Sequence, residues 1–506
     1  MKGTHCLLLA VLFSATVAYP QQSADFYRLS YEGVELAYNM DFDAAIQRFD
    51  NVIASDPENP HGYLLKAVCN YYLYLVDMDD EVREKRFQKA VSRAIEVGKK
   101  KLRNAPGDID ALFYLGTSYI YLAAFHGETN SWLRAYWYGK EGLNYLKSVI
   151  ERDPEYYDAY LGLGLYHYYA DVMPKLVKAV SYLLGVEADR PKGLAELNLV
   201  REKGAFARTE ATFFLSYIFL YVEKEHAKAL PLLQELTAAY PQNPVFHIVL
   251  GDAYRKFGRH TQAVETYKKA ASDRNYSLYP GLVNTSHYLL GNIYFEMNEF
   301  ERAIQSYARA VESAKQVTRN KESVYAWGLY KQGECFDILG DTETAQRFYA
   351  AIRKEHNKNA FEKAQLRLKN GLRRVDAEIL QAKNYIITRN FDTAIQTYER
   401  LLQRLSANNI EYPRSRAPEI YYYLGRVRSE QRAWNEAIND FKKVLAERNM
   451  RGKWLRPWTH FRLGNCYRYL GQIDLALAQY KQAYKYDDGE LRFAIDKINQ
   501  ELKGSN

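Results

Sequence analysis

The chain has 506 residues, enough for several domains or one long array, and 47% of them are hydrophobic, which excludes a disordered chain. The net charge of +8 is modest and spread along the length, so no basic patch points to nucleic acid. Pro (14) and Gly (28) are sparse, as helices require, and Tyr is abundant at 45 against 22 Phe.

In chain order the first element is MKGTHCLLLAVLFSATVAYPQQS. Lys2 precedes an apolar run from Cys6 to Val17 that is too short to span a bilayer comfortably. Thr16-Val17-Ala18 places small residues where a signal peptidase reads. The pattern predicts a secretory signal over 1–18, cut after Ala18, and an extracytoplasmic chain, periplasmic or secreted. The remaining Cys69, Cys335 and Cys466 are an odd, sparse set that makes no disulfide framework.

From residue 24 a spacing recurs. Gly33, Gly251, Gly291, Gly333, Ala382, Gly425 and Gly464 are each followed twelve positions later by an alanine: Ala45, Ala263, Ala303, Ala345, Ala394, Ala437 and Ala476. Four positions beyond each stands an aromatic: Phe49, Tyr267, Tyr307, Tyr349, Tyr398, Phe441 and Tyr480. Apolar residues three and four apart on both sides predict two amphipathic helices. A fixed offset between them predicts a hairpin with an invariant turn, such as Asn298-Glu299 or Gly340-Asp341. The expectation is that small residue meets small residue across the pair and that the aromatic fills the gap to the next hairpin.

LGNIYFEMNEFERAIQSYARA (290–310) and LGNCYRYLGQIDLALAQYKQA (463–483) resemble the tetratricopeptide repeat, a unit of ~34 residues. The resemblance implies an all-α fold, an α-α superhelix of about ten or eleven hairpins. The expected organisation is a signal (1–18), N-terminal repeats (24–170), a degenerate helical joint (171–206), a C-terminal array (207–487) and a capping helix (488–503). Within the N-terminal repeats, AAFHGETNSWLRAYWYGKEG (123–142) reads as an insertion after Gly116. The C-terminal helix would shield the last apolar surface of the stack.

No metal, phosphate-cradling or nucleophile motif stands out, so no enzyme activity and no cofactor are expected. His167 stands where the repeat wants an aromatic and reads as a packed ring. The three cysteines each follow their small residue by two positions and read as small apolar fillers. Asn275-Tyr-Ser277 and Asn284-Thr-Ser286 match the glycosylation acceptor and read as accidental.

In the repeat, positions one, four and five after the small residue would line a concave groove. They predict a Tyr-rich wall of Tyr38, Tyr71, Tyr72, Tyr121, Tyr168, Tyr169 and Tyr221. Further on they predict a polar stretch that includes Arg255, Asn292, Lys383, Arg426, Asn465 and Arg468, with the charges read as a solvated face. Such a groove suits a protein or peptide partner, making the chain a binding scaffold in a bacterial envelope; any membrane association would run through that partner. The alternative is a glycan, whose rings stack on tyrosine.

Overall fold

A computed structural model describes residues 21–78, 80–172, 188–272, 279–315, 321–447, 450 and 452–486, and 491, 492, 495, 496 and 498 near the C-terminus. The expected signal over 1–18 lies outside them. The described residues hold twenty-three α-helices and no strand, in two compact units. None of these helices is long and apolar enough to cross a membrane. The fold is an all-α array of helical hairpins.

The first unit comprises the chain up to Ser216 together with Ala238–Asn243. Its helices are α1 (Gln21–Tyr38), α2 (Phe42–Ser55), α3 (Pro60–Val76), α4 (Glu81–Asn104), α5 (Ile109–Glu128), α6 (Trp132–Arg152), α7 (Tyr160–Val172), α8 (Arg190–Lys203) and α9 (Arg208–Tyr217). They pair as α1–α2, α3–α4, α5–α6 and α7–α8. Aspartates start several of them: Asp41, Asp80, Asp108 and Asp189 each accept a hydrogen bond from a first-turn N–H.

The second unit runs over Tyr217–Thr237 and from Pro244 onward. It holds most of α10 (His226–Ala239), then α11 (Pro244–Lys256), α12 (His260–Ala270), α13 (Pro280–Glu296), α14 (Phe300–Ala314), α15 (Lys321–Leu339), α16 (Thr342–Ala350), α17 (Lys358–Asn370) and α18 (Arg374–Ile387). The array ends with α19 (Phe391–Arg404), α20 (Ala417–Glu430), α21 (Trp434–Ala446), α22 (Leu455–Tyr469) and α23 (Ile473–Tyr486). Six hairpins follow: α11–α12, α13–α14, α15–α16, α18–α19, α20–α21 and α22–α23. The expected capping helix is described only in part. There Leu491 and Ile495 are buried and join the core of the last hairpins, as a cap requires.

In seven hairpins the turn has one conformation. Met40, Gly258, Asn298, Gly340, Arg389, Arg432 and Gly471 all have φ between 60° and 95°, each seven positions after its hairpin's small residue. The next N–H reaches back to close the helix: Asp41 donates to the Leu36 carbonyl at 2.9 Å and Glu299 to that of Tyr294 at 2.8 Å. A left-handed residue favours Gly or Asn, so the Met and Arg positions hold strain.

The small residue has a different neighbour from the one expected. A Cβ built on Gly251, Gly291, Gly333, Gly425 or Gly464 would lie 2.5–2.7 Å from a ring carbon of the aromatic sixteen positions later. That ring therefore covers the glycine of its own hairpin; at Gly464 the Ala476 carbonyl is a further neighbour at 3.2 Å, and Tyr398 also stacks on Tyr423 of the next hairpin at 5.8 Å. Glycine is needed because a planar ring lies flat on the backbone of the first helix.

Glycine meets glycine in two hairpins of the first unit. A Cβ on Gly142 would stand 2.8 Å from the Gly116 carbonyl, and one on Gly193 2.6 Å from that of Gly164. Gly116 and Gly142 are twenty-six residues apart, fourteen more than the usual twelve. The insertion expected over 123–142 is thus two helical extensions, one on each arm, with the turn moved out to Asn130 (φ 56°). Seven residues are close to two turns, so each arm keeps its buried face. The expected joint over 171–206 is likewise part of a hairpin. Residues 173–187 lie outside the described ones, but α8 beyond them packs on α7 as a second arm.

Candidate interaction surfaces

In the first unit the tyrosine wall is largely turned inward on itself. Tyr71, Tyr121 and Tyr168 are buried, and Tyr38, Tyr72 and Tyr169 are half-buried. The Tyr71 ring packs 5.2 Å from Phe87 and 5.3 Å from Tyr121, and Tyr38 lies 5.2 Å from Tyr240. Tyr72 and Tyr121 hydroxyls are 3.4 Å apart, and Tyr121 donates to a carboxylate oxygen of Glu210. Tyr240 donates to Glu35 at 3.0 Å and contacts the Thr209 hydroxyl at 3.1 Å. Burial pushes the Glu210 carboxyl up to about 8, and burial together with the Glu210 charge raises Tyr38. A carboxyl held toward its neutral form by burial, with a tyrosine hydroxyl donating to it, is a strongly perturbed group of the unit.

His167 is a packed ring with a partner: its Nδ1 lies 2.6 Å from a Glu196 oxygen, both side chains buried between α7 and α8. Cys69, Cys335 and Cys466 are buried free thiols, and burial pushes Cys69 up to about 12. Asn275 lies outside the described residues, while Asn284 is buried in the first turns of α13, where no glycan could be attached without unfolding.

In the second unit the predicted positions differ in what they do. Asn292 and Asn465 accept hydrogen bonds at 2.8 Å from the hydroxyls of Tyr307 and Tyr480, the rings that cover their own hairpins' glycines. These asparagines satisfy buried phenols. Arg255 makes a forked contact of 3.0 and 3.1 Å with Glu296, which is 8% exposed. Tyr221 lies 5.5 Å beneath the Lys256 ammonium. In the next hairpin Lys331 and Arg367 pair with buried Glu334 at 2.7 and 3.3 Å. The charges here tie successive hairpins together and are not the solvated face expected of them.

Toward the C-terminus pairing is less complete. Lys383 sits 5.1 Å from the Tyr423 ring, and burial lowers its ammonium, with Arg426 and Arg416 opposing the charge and Glu419 supporting it. Glu419 is engaged by Arg416 at 2.7 Å. The Nε of Arg426 is buried with no partner. Arg468 lies 5.4 Å from the Tyr469 ring. Across the array Asn384 of α18 donates to the Phe295 carbonyl and to Asn298, both at 2.7 Å, so α18 also touches α13.

Residues 217–283, 248–318 and 457–489 match models of the tetratricopeptide repeat. The chain carries tetratricopeptide repeats over these stretches. Two solved structures are similar to it: a tetratricopeptide repeat protein from Parabacteroides merdae, at 18% identity and TM-score 0.26, covering 57% of this chain and 96% of that one; and the apo form of RapI, at 14% identity and TM-score 0.29, covering 55% and 97%. Among curated proteins none matches. Tetratricopeptide repeats in general mediate protein–protein interaction, and that coarse role carries over.

The tetratricopeptide frame explains which site residues sequence reasoning could find. It assigns Lys383 and Arg426 the same position, one after the small residue in successive repeats, and the structure brings their charges together. It gave no signal for Glu210, Tyr240 or Glu296. Glu210 stands in the first turn of α9, where an acidic side chain reads as ordinary helix-end charge.

Proposed function

We propose that the chain is a non-enzymatic scaffold that holds an acidic segment of a protein partner along the first-helix faces of α18, α20 and α22. The observation that carries this is the adjacency of Lys383 and Arg426. Two cations occupy equivalent places in neighbouring repeats, the two nearby carboxylates are engaged elsewhere, Glu419 by Arg416 and Glu334 by Lys331 and Arg367, and the Arg426 Nε has no acceptor among the described residues. A carboxylate from outside would supply the missing acceptor, and charge-assisted bonds of this kind are roughly twice as strong as neutral ones. Arg468, one repeat further, extends the same line. A preformed stack presents these groups without an ordering cost at binding.

The glycan alternative required free tyrosine faces. The Tyr71 ring packs on Tyr121 and Phe87, and Tyr168 is fully buried, so the peptide reading is favoured. The location proposed is extracytoplasmic, supported by Lys2, the apolar run Cys6–Val17 and Ala18.

The test places a photo-crosslinker at Glu430, exposed on α20 one turn beyond Arg426, and at Lys442 on α21 as a control, in the protein's own cells, with fractionation of the same cultures. The expected result is one acidic-segment protein cross-linked from position 430, lost on Lys383→Glu, with the chain outside the cytoplasm. Equal cross-linking from both positions, or capture that survives Lys383→Glu, would refute the binding face.

A further inference from the structure

A second set of basic groups lies away from that face, in a cleft of about 300 Å³ floored by α13 and walled by α12 and α14. Lys268 and Ala271 form one wall, Arg302, Gln305, Ser306 and Arg309 the other, and His287, Leu290 and Tyr294 the floor. Three cationic side chains, Lys268 on α12 and Arg302 and Arg309 on α14, line the one opening. Two of them have local partners: Lys268 pairs with Glu265 at 2.9 Å and Arg302 with Glu299 at 2.6 Å. Both carboxylates lie three residues from their cation in the chain, and among the described residues no acidic side chain lines the cleft itself. Arg309 has no acidic partner among the described residues, and its charge falls on His287. The charge of Arg302 falls in the same way on Lys268. The cations therefore repel one another across the opening, an arrangement that an anion would relieve.

His287 is the independent sign of a ligand. It is 9% exposed, yet its Nδ1 is buried with no hydrogen-bond partner. A buried donor without an acceptor costs more than a buried acceptor without a donor, so the ring proton belongs on Nε2. No hydrogen bond to Nε2 exists among the described residues, and the ring lines the cleft. Burial and Arg309 push the imidazole down to about 4, so at neutral pH it is an uncharged N–H donor with nothing to donate to. Together with the Gln305 amide, the cleft offers donors from both walls and the floor.

We propose that this cleft binds a small phosphate monoester, its phosphate held by Lys268, Arg302 and Arg309 with His287 donating from below. A carboxylate has two oxygens in one plane and could meet only one wall at a time. A tetrahedral phosphate presents three free oxygens to three cations, and Arg–phosphate pairs are forked and strong. The cleft is larger than a bare phosphate: Leu290 gives it an apolar floor beside the cations on which a compact organic group would rest, while the Tyr294 ring there is faced by the Arg302 guanidinium at 4.8 Å.

The test is calorimetric titration of the full chain at constant ionic strength with three probes: inorganic phosphate, ribose 5-phosphate and succinate. The expected order is ribose 5-phosphate tightest, phosphate weaker, and succinate no better than chloride. Arg309→Gln and Lys268→Gln, both surface changes, should each weaken ribose 5-phosphate by about tenfold, the worth of one charge-assisted contact. His287→Phe keeps the ring volume and should weaken it less. No saturable binding of either phosphate in the millimolar range overturns the proposal. So does binding that Arg309→Gln and Lys268→Gln leave unchanged, or succinate binding as tightly as ribose 5-phosphate.

Discussion

Replacing Glu210 by Gln tests how the first unit handles its buried carboxyl. Gln keeps the shape and still accepts from the Tyr121 hydroxyl, but cannot ionise. Burial moves the wild-type group from 4.5 to about 8. The folded chain therefore holds a proton that the unfolded chain releases between those values, and stability falls as pH rises through that window. A displacement of that size corresponds to roughly 4–5 kcal/mol of penalty, fully present above about pH 8 and absent below about pH 4.5. Glu210 keeps some surface, so solvent screening reduces the expected effect to about 2–4 kcal/mol. A long array does not unfold in one step, which makes native-state hydrogen exchange of α5 and α9 the appropriate measurement. Glu210→Gln should slow exchange strongly at alkaline pH, beyond the change in intrinsic rate, and hardly at all under acid conditions. An equal effect at both pH values would show that the carboxyl ionises freely in the folded state and would refute the burial argument.

Gly291→Leu should cost on the order of 2–4 kcal/mol, because even a Cβ would stand 2.5 Å from the Tyr307 ring; chemical denaturation of the chain with and without the change measures it. Met40→Gly and Arg432→Gly should each stabilise by on the order of 0.5 kcal/mol, since both residues hold a left-handed φ, and a raised thermal midpoint is the readout.

The hairpins were legible in the sequence because their determinants are local. A small residue, an alanine twelve positions on and an aromatic four beyond that fix two helix faces and the turn between them, whatever the rest of the chain does. Even so, the partner of the small residue was misassigned. Spacing places Gly291 and Tyr307 on facing helices but cannot say that the ring leans back over its own hairpin. The fourteen extra residues between Gly116 and Gly142 read as an insertion because the turn signal had moved; their length, near four helical turns in all, was the clue that they prolong both arms.

The amino-acid sequence by itself determined the repeat, the all-α fold and the positions that face along the first helices. Only the tertiary structure decided which of those positions are spent. Asn292 and Asn465 satisfy buried phenols, Arg255 is taken by Glu296 forty-one residues away, and Tyr121 meets Glu210 eighty-nine residues away. A helical period propagates a face along the chain. Whether a tyrosine or a charge on that face is free depends on how neighbouring hairpins close over it, and that is set by packing between residues far apart in the chain.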